Sequence, residues 1–121
     1  MSEEKEWTIV LYTEDDGHSP VGDFLEGLDQ KTRARFEWSI EQLRIRNTSA
    51  SEPLVKHIEG KIWELRRESS GNIYRLMYFF YTGRLIVFLH GFQKKMQKTP
   101  RREIETTKRR LANFIKREGG E

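Results

Sequence analysis

Three apolar runs rich in β-branched and aromatic residues follow one another with only short breaks, and nothing else in the 121-residue chain limits its fold as much. Lys61–Arg67 (KIWELRR) alternates Ile62, Glu64 and Arg66 with Trp63, Leu65 and Arg67, as a strand does. Ile73–Tyr81 (IYRLMYFFY) and Leu85–His90 (LIVFLH) have still stronger strand composition. Glu68–Asn72 and Thr82–Arg84 separate the runs with the Gly, Ser and Asn chemistry of hairpin loops. An antiparallel sheet is therefore the predicted centre of the fold.

The flanking segments supply its cover. Trp7–Thr13 (WTIVLYT) reads as one more strand, ended by the turn residues Asp15, Asp16 and Gly17. Ser19 is placed as an N-cap with Pro20 in the first turn, and Val21, Phe24, Leu25 and Leu28 then recur at helical spacing. Asp29 is placed to cap a second helix whose apolar side is Ala34, Phe36, Trp38, Ile40, Leu43 and Ile45. Asn47–Pro53 reads as a polar loop. Pro100–Lys116 forms a last helix, with Ile104, Leu111, Phe114 and Ile115 among basic residues. The predicted order is β-α-α-β-β-β-α, an α+β fold with two N-terminal helices and a C-terminal helix, in one domain over residues 1–121. The tryptophans at 7, 38 and 63 are expected in its core.

Charge distribution says more than net charge. Residues 1–55 hold six Lys/Arg against twelve Asp/Glu, whereas residues 56–110 hold fourteen against five. A basic half of this kind is the electrostatic footprint of a polyanion partner, although basic residues also serve simply to solvate a surface. With no cysteine, disulfides, thiolate metal sites and cysteine nucleophiles are excluded. His18, His57 and His90 are scattered without metal-ligand spacing, so no metal and no other cofactor is expected. The polar start MSEEKEW is unlike a secretory signal, and the longest apolar runs are far short of the ~20 residues that span a bilayer. A soluble, cytoplasmic protein is expected, with no membrane partner.

Two groups of residues carry candidate chemistry. Arg75 lies inside an apolar run on the same strand face as Ile73 and Met77, where an unpaired charge is expensive. Two readings stand open: a salt bridge to a neighbouring strand, for example to Glu64, or a guanidinium fork set in a groove to hold phosphate. Arg66 shares a strand face with Glu64 and comes near Arg75 if the hairpin register allows. The second group is Gly91–Pro100 (GFQKKMQKTP), read as a loop between the last strand and the last helix. Lys94, Lys95 and Lys98 crowd one another there, and crowding by like charge lowers a lysine pKa toward the range of a general base. Phe92 is a candidate for stacking on an unpaired base. His90 is either a proton-transfer group or, more simply, a residue that fixes the turn by hydrogen bonding.

The succession KIWELR, IYRLMYFF and IVFLHGFQKKMQKTPRREI resembles the HigB-like, phage-derived branch of the RelE/ParE toxin superfamily, from about Trp7 to Phe114. The resemblance implies a toxin of a type II toxin–antitoxin system: a ribosome-dependent endoribonuclease that cuts mRNA in the ribosomal A site. It also implies a helix-turn-helix antitoxin of the HigA kind as partner, in a toxin–antitoxin oligomer. Carried over by position, Arg75 matches the arginine on the scissile phosphate, Lys95 with Lys94 the cationic pair after the last strand, and Arg66 the basic position ending the first hairpin strand. Lys98, Phe92, Arg67, Lys61 and His90 are the further residues assigned to RNA. Met96 stands where relatives commonly carry Thr, and no tyrosine follows Tyr81.

The implied chemistry is transesterification without metal: the ribose 2′-OH attacks the adjacent phosphate, leaving a 2′,3′-cyclic phosphate and a 5′-OH end. Lys94 or Lys95 serves as base or simply lowers the barrier by its charge, and Arg75 and Arg66 stabilise the transition state. Arg75→Ala is expected to abolish activity with the fold intact. Two other readings are a non-catalytic module that binds nucleic acid or protein, and a ParE-like gyrase poison.

Overall fold

The computed structural model describes residues 6–46, 55–94 and 98–119. Lys95, Met96 and the loop assigned to Asn47–Pro53 lie outside the described residues. Hairpin geometry follows the turn chemistry: Ser70 and Gly71 both take positive φ, 54° and 81°, which matches the twist of the strands they join. They link β3 (Ile62–Ser69) to β4 (Asn72–Tyr81), and Gly83 and Arg84, again at positive φ, turn β4 into β5 (Leu85–Lys94). Both helix starts form as the side chains dictate. In α1 (Pro20–Glu26) the Ser19 hydroxyl accepts the Gly22 N–H at 3.0 Å, and before α2 (Gln30–Arg46) Asp29 Oδ1 accepts the Thr32 N–H at 2.9 Å.

The α+β class is as the sequence predicts; the strand count and the pairing are not. A further strand, β2 (Val55–Glu59), pairs antiparallel with β3, and β1 (Thr8–Leu11) runs parallel to β5. The sheet is thus mixed, in the order β1-β5-β4-β3-β2, and the element order is β-α-α-β-β-β-β-α with α3 (Arg101–Gly119) last. The reason β2 escapes a pattern search is that it is an edge strand of five residues, of which only Val55 is buried. The two N-terminal helices carry the chain from β1 to β2 at the opposite edge, and the β2–β5 meander then brings β5 back beside β1 in parallel.

Alternate side chains of β4 build two cores. Leu76 and Tyr78 join Leu65, Ile86 and Phe88 under Val21, Phe36 and Leu43 of α1 and α2. Met77 and Phe79 face the other way, against Ile104 and Phe114 of α3. Gly91 permits the close seat of α1, since a Cβ there would lie 2.4 Å from the Phe24 ring. Trp38 departs from expectation at 58% exposure, because Thr32, Phe36, Ser39 and Leu43 form the buried side of α2. Trp7 and Trp63 are half-buried against the first core.

Candidate active site

Register decides which charged side chains meet. Arg66 is directly opposite Arg75, Glu64 opposite Met77, Lys56 opposite Glu64, and Lys94 opposite Ile73. Directly paired residues share a sheet face, and Met77 fixes that face as the one α3 covers. Arg66, Arg75, Glu64, Lys94 and Lys56 therefore all belong to the α3 side.

At the centre is a buried ion pair. Arg75 Nη1 donates to Glu64 Oε2 at 2.5 Å, with side-chain exposures of 3% and 0%. The Thr99 hydroxyl, just before α3, donates to the same carboxylate oxygen at 3.3 Å. Of the two open readings of Arg75, the salt bridge to Glu64 is thus present. It does not exclude the other, since Arg75 also lines a cleft of about 350 Å³ with Lys56, Ile58, Lys98, Thr99 and Ile104. Arg75 Nε and Glu64 Oε1 are buried and have no hydrogen-bond partner among the described residues. Buried polar atoms without a partner are rare in native proteins, and the Arg75 guanidinium, which lines the cleft, carries one of these two. The pair also gives Arg75→Ala a cost in stability, because that change strands a buried carboxylate.

Lys94 has its pKa lowered, first by burial and then by the nearby charges of Arg75, Arg66 and Lys56, against an opposing pull from Glu64. Crowding by cations is the effect the sequence suggests, but the cations that act are Arg66, Arg75 and Lys56 on β3, β4 and β2.

The remaining assigned residues separate. Lys98 is exposed and lines the cleft. Phe92 is only 8% exposed and packs with Ile62, Met77 and Ile104, so it is no free stacking platform. β5 runs on to Lys94, so residues 91–94 are strand instead of loop, and alternation turns Phe92 inward. His90 bonds Glu103 through Nε2 at 2.6 Å, and its Nδ1 lies 3.1 Å from Arg110 Nη1, which fastens α3 to the sheet. The bonding is to a helix and not to a turn, because β5 continues past His90. A register shift after Met77 leaves Leu89 as an extra residue in β5, so Leu89 and His90 both reach the α3 side. Arg67 is on the opposite face, where Nη1 donates to Ser39 of α2 at 3.2 Å. Lys61 sits in the β2–β3 turn and borders a separate hollow with Ile62, Lys108 and Leu111. Neither joins the cleft.

Sequence reasoning missed Lys56 and Thr99. Lys56 had no signal because its strand was not recognised. Thr99 belongs to the segment Gly91–Pro100, but nothing in its spacing announces a bond to Glu64.

Residues 23–112 match the family described as Phage derived protein Gp49-like (DUF891), a family related to the RelE and other toxin–antitoxin toxins. No curated protein matches the chain. Among the described residues, no helix is long and apolar enough to cross a membrane.

Proposed function

The chain belongs to the phage-derived Gp49-like family, and from that membership and the cationic cleft we propose that it is the toxin of a toxin–antitoxin pair, an endoribonuclease acting on translated mRNA. The observation that carries this reading is the gathering of Arg66, Arg75 and Lys94 on one sheet face beside a cleft whose floor includes Arg75.

The chemistry needs two things of the protein: a base for the 2′-OH and positive charge for the phosphorane. Lys94 takes the 2′-OH proton, for which a lowered pKa suits it. The 2′ oxygen then bonds to phosphorus, the P–O5′ bond breaks, and the departing 5′ oxygen gains a proton. Arg75 and Arg66 hold the non-bridging oxygens. Arg75 offers a fixed orientation, since Glu64 holds one edge of its guanidinium. The cognate antitoxin and the ribosomal A site are the partners this reading requires.

The test is primer extension on mRNA after expression of the chain, with Arg75→Lys and Lys94→Ala beside it. Arg75→Lys keeps the charge against Glu64 while removing the fork, and should slow cleavage by ~10²–10³-fold. Fragments with 5′-OH ends, lost in both variants, are expected. Uncut mRNA under the wild-type protein would refute the reading.

A further inference from the structure

The β2 wall of the cleft has a role that the reaction itself does not require. Arg101, which also borders the cleft, is already engaged by Glu59 and Glu105, so its charge is largely answered. Lys56 and Lys98 have no ion pair among the described residues, yet both line the same cleft as Arg75, one from β2 and the other from the segment ahead of α3. β2 is an edge strand, and Lys56 is exposed on it. Its charge is close enough to Lys94 to help depress that residue. An unanswered ammonium at the open border of a site built for one phosphate is placed to meet the next phosphate of the same chain.

We propose that Lys56 is a second phosphate contact, so that the cleft takes a single strand of RNA held at two successive phosphates. The proposal rests on the ribonuclease reading for the identity of the ligand. The strand must be single because the Arg75 side chain is only 3% exposed at the floor. A phosphate reaches it only if the backbone bends inward, which an unpaired strand does and a rigid duplex does not. A cleft of about 350 Å³ has room for a nucleotide and none for a helix.

Binding separates this proposal from the chemistry. The probe is a fluorescent single-stranded oligonucleotide with 2′-O-methyl riboses, which cannot be cleaved, titrated at several salt concentrations. Each phosphate contact contributes about 0.7 to the slope of log K against log salt for a single strand. Lys56→Gln should reduce the slope by about that amount, and Lys116→Gln, near the other end of α3, should leave it unchanged. A dinucleoside monophosphate, with its one phosphate, should bind wild type and Lys56→Gln alike, whereas a trinucleoside diphosphate should distinguish them. An unchanged slope in Lys56→Gln overturns the proposal, even if the enzyme still cuts mRNA. So does equal affinity for a duplex of the same length, or displacement of the oligonucleotide by polyglutamate at matched charge, which assigns the cleft to an acidic protein. A Lys56-dependent slope in a protein that leaves translated mRNA uncut by primer extension leaves the proposal standing and refutes the nuclease.

Discussion

Replacing Arg75 perturbs two things at once, and a thermodynamic cycle with Glu64 separates them. The pair is desolvated, at 3% and 0% side-chain exposure, and Thr99 is the only other described partner of the bonded carboxylate oxygen. Removing one member of such a pair costs about 3–5 kcal/mol, because the other charge stays buried without an answer. Against a total stability of roughly 5–15 kcal/mol, that is a large share. In a domain of this size each kcal/mol moves the melting temperature by about 3–6 °C, so Arg75→Met should melt roughly 10–30 °C below wild type. Glu64→Leu should behave similarly. The double variant Arg75→Met/Glu64→Leu fills the space with apolar groups and buries no charge, so it should return to within about 1 kcal/mol of wild type. Urea denaturation of the four proteins gives the coupling directly. If the single variants lie within about 0.5 kcal/mol of wild type, or if the double variant equals their sum, the pair is not a buried cooperative unit. The double variant also has a functional use: folded but without the guanidinium, it should be inactive, which Arg75→Ala alone would not demonstrate.

Three further outcomes are expected. With Lys94 as base, cleavage should rise with pH and level off below the usual lysine range, since only the neutral amine accepts a proton and burial lowers its pKa; a flat pH–rate profile from pH 6 to 10 would remove Lys94 from that role. Gly91→Ala drives a methyl into the Phe24 ring and should destabilise by ~1–3 kcal/mol, measured by denaturation, with partial recovery on adding Phe24→Leu. His90 has its pKa lowered chiefly by burial, so the unfolded chain binds the proton more readily than the folded one; stability should fall as pH drops below about 6.5, and His90→Gln should flatten that dependence in melts at pH 5 to 7.5.

What was legible in the sequence was what local chemistry dictates. Ser19 and Asp29 start helices because their side chains satisfy N–H groups three residues away, and Ser70-Gly71 closes a hairpin by its own backbone preference. Alternation placed Arg66, Arg75 and Glu64 on their strand faces without knowledge of the partner. The residues that misled did so because a non-local contact chose their side. Phe92 reads as a loop residue and His90 as a strand end until pairing with β4 carries β5 on to Lys94. Arg67 looked like part of a basic cluster, but the same alternation that aims Arg66 at Arg75 aims Arg67 at α2. β2 could be found only by its register against β3, and Lys56 with it.

The Glu64 carboxylate at first looks like an obstacle to anion binding, and charge accounting shows why it is not. On the ribonuclease reading Lys94 starts neutral, and as the 2′-OH proton moves to it the charge on the protein side rises by one just as the phosphorane gains its second negative charge. Attraction therefore grows along the reaction coordinate, which is the condition for catalysis as opposed to mere binding. Were Glu64 absent, the ground state would be held by the extra charge as well, and Arg75 would lose the contact that fixes its orientation. A buried ion pair and a phosphate site are on this view one device: the carboxylate moderates the field felt by the substrate and holds in place the group that answers the transition state.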